Sequence, residues 1–205
     1  MTRKERTIDY GTVYGGPTYL EYTLGSGVYN SPIGCSYIVV EAVGGGGGGA
    51  KNSATLTSGG GGGAGGYFKK QYPPGSYNYS VGSAGLGYTT AGTNGQSGTA
   101  TTFGSDSAGG GMRGQLTISG TGGTVSASNA ISTVKGGDGS IGASGFTSPG
   151  GASILSTNIP SFLRDEVTTG TKVSATRGGG GGGVGDSVVK AGNGGSGVLL
   201  IREYY

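Results

Sequence analysis

The chain has 205 residues, of which 53 are Gly, and only 11% are charged, for a formal net charge of +3. With six Pro this is low-complexity composition, yet the Gly falls in blocks and not at every third position, which excludes a collagen triple helix. His is absent and Cys occurs once, which excludes Ser-His-Asp and Cys-His hydrolysis, His/Cys zinc centres and an internal disulfide; the scattered Lys and Arg form no basic stripe for nucleic acid.

Disordered chains pair poor hydrophobicity with high net charge. Here the charge is low, so the glycines are read as architecture. Residues 1–16 carry Arg3, Lys4 and Arg6 with no apolar h-region behind them, so they do not form a secretory signal. They read as an attachment segment in which Tyr10 and Tyr14 dock onto another chain, and residues 17–205 as the domain it mounts. The first strands are expected at 18–24 and 37–43. The second, Tyr-Ile-Val-Val-Glu-Ala-Val, is β-branched and apolar enough to have little exposed face, and Cys35 before it reads as a small buried hydrophobe. The strand runs straight into Gly44, Gly45, Gly46, Gly47, Gly48 and Gly49.

A second block, Gly59, Gly60, Gly61, Gly62 and Gly63, leads to residues 67–72, then Pro73-Pro74-Gly75, then 76–81, where Tyr77, Tyr79 and Val81 alternate with polar residues. This reads as a hairpin. Short Gly clusters follow without a fixed period, then an inserted loop at 152–177. The third block, Gly178, Gly179, Gly180, Gly181, Gly182 and Gly183, precedes a closing apolar strand at 198–202. Helix is nearly excluded, since Gly costs about 1 kcal/mol against Ala in a helix interior. No stretch is apolar for long enough to insert into a membrane.

A run of Gly has no side chain to bury and the largest backbone entropy to lose, so only its own N–H and C=O groups can fix it. Extended three-residue-per-turn polyglycine-II helices offer all those groups to neighbours and pack closely when the contact residues are Gly. Six residues at about 3.1 Å each span roughly 19 Å, enough to cross a small domain. The expected fold is therefore all-β: a Gly-rich, β-sandwich-like domain with packed polyglycine-II helices and loops displayed at the ends of a stiff core.

The order YIVVEAVGGGGGG, GGGGGAGGYFKKQYPPGSYNYSVGSAG and GGGGGG…GNGGSGVLLIREYY resembles the glycine-rich domain of bacteriophage tail-fibre and receptor-binding proteins. In logic it is similar to the tip adhesins of T-even-like phage long tail fibres. That resemblance implies a non-enzymatic virion protein, assembled in the host cytoplasm, that recognises a surface glycan or outer-membrane protein. Its partners would be other tail or fibre proteins, and fibre parts of this kind are commonly homotrimers. The alternative is a structural virion component, such as a head fibre or a baseplate connector. Phe162, Leu163 and Arg164 in the inserted loop either combine an apolar anchor with a charge, as binding hot spots do, or fold back over the Gly core or a subunit contact; Tyr88, Met112, Arg113 and Phe146 are candidates to line the same tip or else solvated or packing residues. Lys51 and Asn52 occupy another inter-Gly segment of this kind. Asp165-Glu166 are sequence neighbours, a poor arrangement for a glycosidase acid pair, and no cofactor or metal motif stands out.

Overall fold

The computed structural model of the chain describes residues 4–5, 17–53, 58–142, 148–155, 177–184 and 190–205. Among them there is no helix, and eleven strands form two sheets: β1 (Lys4–Glu5), β2 (Thr18–Tyr22), β3 (Ser26–Asn30), β4 (Tyr37–Val43), β5 (Tyr67–Tyr72), β6 (Ser76–Ser80), β7 (Thr101–Phe103), β8 (Asp106–Ala108), β9 (Val125–Ser126), β10 (Ser132–Val134) and β11 (Val198–Tyr204). One sheet runs β1-β2-β11-β4-β5-β10 and the other β3-β6-β7-β8-β9, antiparallel throughout. Between them Ile38, Val40, Ala42, Phe68, Leu199 and Ile201 of the larger sheet meet Tyr29, Phe103 and Ala108 of the smaller. Alternation along each strand sends every second side chain into this core.

Two tyrosines fasten the sheets to each other. Tyr29 donates to Glu203 at 2.9 Å and Tyr72 to Asp106 at 2.7 Å, and Lys70 pairs with the same Asp106 oxygen at 2.7 Å. Burial first, and then the bond to a carboxylate, push both phenols above their ordinary range, so they remain donors at neutral pH.

The expected hairpin at Pro73-Pro74-Gly75 is instead a crossing between sheets. β5 pairs with β4 and β10, whereas β6 pairs with β3 and β7. Two-residue hairpin turns need positive φ, which the proline ring forbids, and Gly75 is not among the positive-φ glycines. Tyr72 and Tyr77 therefore meet across the core, with ring centroids 5.4 Å apart, and not side by side in one ladder. The real tight turn lies between β7 and β8, where Gly104 has φ +58°.

Beyond the sandwich, strands β4, β5 and β11 continue into the glycine blocks. The hydrogen bonds of residues 44–51 repeat with period three. Gly44, Gly47 and Ala50 donate to Gly66, Gly63 and Gly60; Gly45, Gly48 and Lys51 donate to Thr99, Gln96 and Thr93; Gly46 and Gly49 donate to Gly195 and Gly192. Their carbonyls accept from three other segments, as in Gly111 to Gly45, Gly85 to Gly46 and Gly181 to Gly47. This is a polyglycine-II helix ringed by six neighbours: 59–66, 109–115, 93–99, 82–87, 191–197 and 178–184. Residues 59–66 form a second such centre, ringed by 44–51, 109–115, 120–124, 136–140, 148–152 and 178–184. A Cβ on Gly46, Gly47, Gly48 or Gly49 would fall on the carbonyl of Gly179, Met112, Leu86 or Gly182. The helices approach that closely, which is why the two surrounded runs are almost pure Gly.

Candidate functional site

Following the bonding register outward shows where each connection lies. The described residues 51–53, 58, 88–93, 115–119, 141–142, 148, 184 and 190 all lie at the end of the lattice farthest from the sandwich. Several are fastened there by side chains. Lys51, 2% exposed, donates its ammonium to the Thr89 carbonyl at 2.7 Å. Asn52 donates to Leu116 O at 3.2 Å, and Asn94 Oδ1 accepts from Leu116 N at 3.0 Å. Gln96 reaches the Tyr88 hydroxyl, and Asn193 accepts from Gly87 N at 2.9 Å. Buried amide and ammonium donors aimed at loop carbonyls fix those loops before any partner arrives.

The sequence candidates separate on this frame. Tyr88 sits at the far end with exposed Thr89 and Thr90 beside it, while Lys51 and Asn52 are buried as struts under the loops. Met112 and Arg113 are exposed halfway along a peripheral helix, on the flank, where Ser97 hydroxyl accepts from Arg113 N at 3.1 Å. The inserted loop is anchored at the opposite end from Tyr88. Ser153 donates to Arg177 O at 2.6 Å, Leu155 packs on Val43, Tyr67 and Val198, and Arg177 faces Glu21 of β2 at 3.5 Å. Phe146, Phe162, Leu163, Arg164, Tyr10 and Tyr14 lie outside the described residues. The blocks 44–49, 59–63 and 178–183 are the lattice itself, with every Gly buried.

The chain matches the family model of the glycine-rich domain over residues 22–204. It belongs to that family. Among curated proteins none matches the chain. The matched span of this glycine-rich domain begins in β2 and ends in β11, so it takes in the lattice and nearly the whole sandwich.

A second surface of the glycine-rich domain went unnoticed in the sequence: the outer face of the six-stranded sheet. Alternation along β11 puts Leu200, Arg202 and Tyr204 there, opposite Glu41, Val39 and Tyr37 of β4 and, on the other side, Glu21 and Tyr19 of β2. Glu41 is the hub of this face. Arg202 lies 2.9 Å and Lys69 3.4 Å from its Oε1, and Tyr67 donates to Oε2 at 2.9 Å. Burial, and then that bond, raise the Tyr67 phenol above its ordinary range. Arg202 also lies over the Tyr19 ring, 5.6 Å from its centroid, and Tyr37 stacks on Tyr204 at 4.5 Å. The period-two pattern of Val198–Tyr204 was the available signal, because it separates an apolar inner set from Arg202 and Tyr204.

Proposed function

We propose that this protein is a non-enzymatic recognition module of a bacteriophage particle, a tail-fibre or tail-tip adhesin that presents loops to the bacterial surface from a polyglycine lattice. The observation that carries the reading is the fastening of the far-end loops by Lys51, Asn52 and Asn94 onto helices that cannot flex without breaking backbone bonds on every side. Loops on a rigid scaffold are where recognition is usually placed, and a preordered loop loses less entropy on binding. Tyr88, Thr89 and Thr90 supply a ring and hydroxyls at that end.

The test is saturable binding of purified protein to the host strain on which the particles grow. Wild type is compared with Tyr88→Ala and with the triple variant Phe162→Ala, Leu163→Ala, Arg164→Ala, after circular dichroism shows that all fold alike. Loss of binding in either variant assigns the receptor site to that loop. No saturable binding by wild type, in particles that still incorporate the protein, moves it to the class of structural virion components.

A further inference from the structure

We propose that the outer face of the six-stranded sheet is a binding dish for a neutral pyranose. This goes beyond the recognition reading, to a surface at the opposite end of the molecule from the far-end loops. The register sets Tyr19, Arg202, Val39 and Gln71 side by side on four adjacent strands. With strands about 4.8 Å apart, that row is roughly 14 Å long. Val39, a short side chain, is 7% exposed and forms the floor between Arg202 and exposed Gln71. One row further along, the stacked Tyr37 and Tyr204 close one end; Glu41 and Lys69 close the other.

The chemistry of the lining chooses the occupant. Tyr19, 40% exposed, offers a ring face, and sugar rings present flat C–H surfaces that pack on such faces. Arg202 and Gln71 offer planar donors, and Gln71 an acceptor as well, on either side of Val39. Three cations share two carboxylates here, Arg202 and Lys69 on Glu41 and Arg177 on Glu21, so most of the positive charge is already engaged. A polyanion would find little free charge here, and an apolar helix would have to cover the charged Glu41–Arg202–Lys69 cluster beside Val39 and Leu200. An uncharged ligand with hydroxyls and an apolar ring face meets both conditions. Glu41, whose side chain is 9% exposed, acts as a positioning residue that holds Arg202 in place.

The experiment is saturation-transfer NMR of the full chain with D-glucose, D-galactose, N-acetyl-D-glucosamine and L-rhamnose, each at millimolar concentration. The expected result is transfer to the ring protons of at least one sugar, reduced at least tenfold in Tyr19→Ala and in Gln71→Ala. Both residues are exposed, and neither is among the groups that bond to Glu41. Arg202→Lys keeps the charge beside Glu41 but loses the planar fork, and it should weaken the same sugar. Absence of transfer from all four sugars, or transfer that survives the Tyr19→Ala, Gln71→Ala double variant, overturns the proposal. Host-cell binding separates it from the adhesin reading: cells that still bind the double variant leave that reading standing, whereas sugar transfer without any cell binding removes the reading and keeps the dish.

Discussion

In the sandwich, every second side chain enters a shared core, and Phe68, Phe103, Ile38 and Ile201 fit against one another. In the lattice, every third N–H points to the same neighbour, and no side chain intervenes between the central helices. The two halves therefore differ in what fixes register. Side chains of different shape make a slipped strand pair costly. A run of identical glycines has no such marker, since a slip of three residues would restore nearly every bond. Register in the lattice must come from the sandwich. The topology agrees: β4, β5 and β11 are adjacent in the larger sheet, and each is continuous with a lattice helix, 44–51, 59–66 and 191–197 respectively. The apolar strands thus serve as clamps that set the glycines in phase, at the end opposite the fastened loops.

The sharpest way to break this comparison is to add one methyl group to the lattice and remove one from the sandwich. In Gly62→Ala the new Cβ would land on the Gly47 carbonyl, a backbone group held by its own bonds and unable to turn aside. The expected cost is on the order of 4–5 kcal/mol or more, enough to abolish soluble expression. Ile201→Val in the sandwich core should cost about 0.5–1.5 kcal/mol and leave a folded protein. Soluble yield decides it, with urea denaturation of whichever variant is recovered folded. A folded, nearly wild-type Gly62→Ala would mean that the lattice adapts and is no rigid frame.

That asymmetry also explains what the sequence disclosed. The strands expected at 37–43 and 198–202 were legible because their β-branched and apolar residues leave little choice of partner, and the second runs on to Tyr204. The glycine blocks were legible as packed polyglycine helices because nothing else can order a side-chain-free run. Neighbour relations were not. Pro73-Pro74-Gly75 marks a reversal but not whether the returning strand joins the same sheet, a matter decided by where Tyr72 and Tyr77 find the core. Lys51 and Asn52, polar residues after a Gly block, looked like loop and are buried struts, because the carbonyls of Thr89 and Leu116 that receive them come from distant segments. The dish around Arg202 depends on register across four strands, which no local pattern contains.

A smaller effect is expected at the junction between the halves. Thr101, fully buried, donates to Val43 O at 2.6 Å and accepts from Gly82 N at 2.9 Å, so one hydroxyl joins the end of β4 to the start of a peripheral helix. Thr101→Val keeps the shape and leaves a buried N–H and a buried C=O without this partner. A loss of about 2 kcal/mol should follow, at an unchanged urea m-value. Thr101→Ser should recover most of it. If Thr101→Val is neutral, the sandwich does not hold the lattice in phase through this contact, and the clamp reduces to strand continuity alone.

The smallest effect is expected at the lattice edge, where a side chain takes the place of a neighbouring helix. Asp138 Oδ1 accepts from Gly122 N at 2.7 Å and from Lys135 Nζ at 2.9 Å. The backbone bond first, and then Lys135, lower the Asp138 carboxyl below its ordinary range. A carboxyl lowered on folding stabilises the folded state above its unfolded pKa of about 3.9, and that contribution disappears as pH falls through the lower folded value. The Gly122 amide proton, followed by NMR from pH 6 downward, should therefore titrate with a midpoint below the ordinary Asp value of about 3.9. Asp138→Asn keeps an acceptor oxygen and should remove the titration with little change in stability; Asp138→Ala should expose the amide to faster hydrogen exchange. Were the Gly122 amide equally protected in the Ala variant, the peripheral helices would be held by backbone bonds alone, as the central ones are, and the charged edge would be mere decoration on a lattice that closes itself.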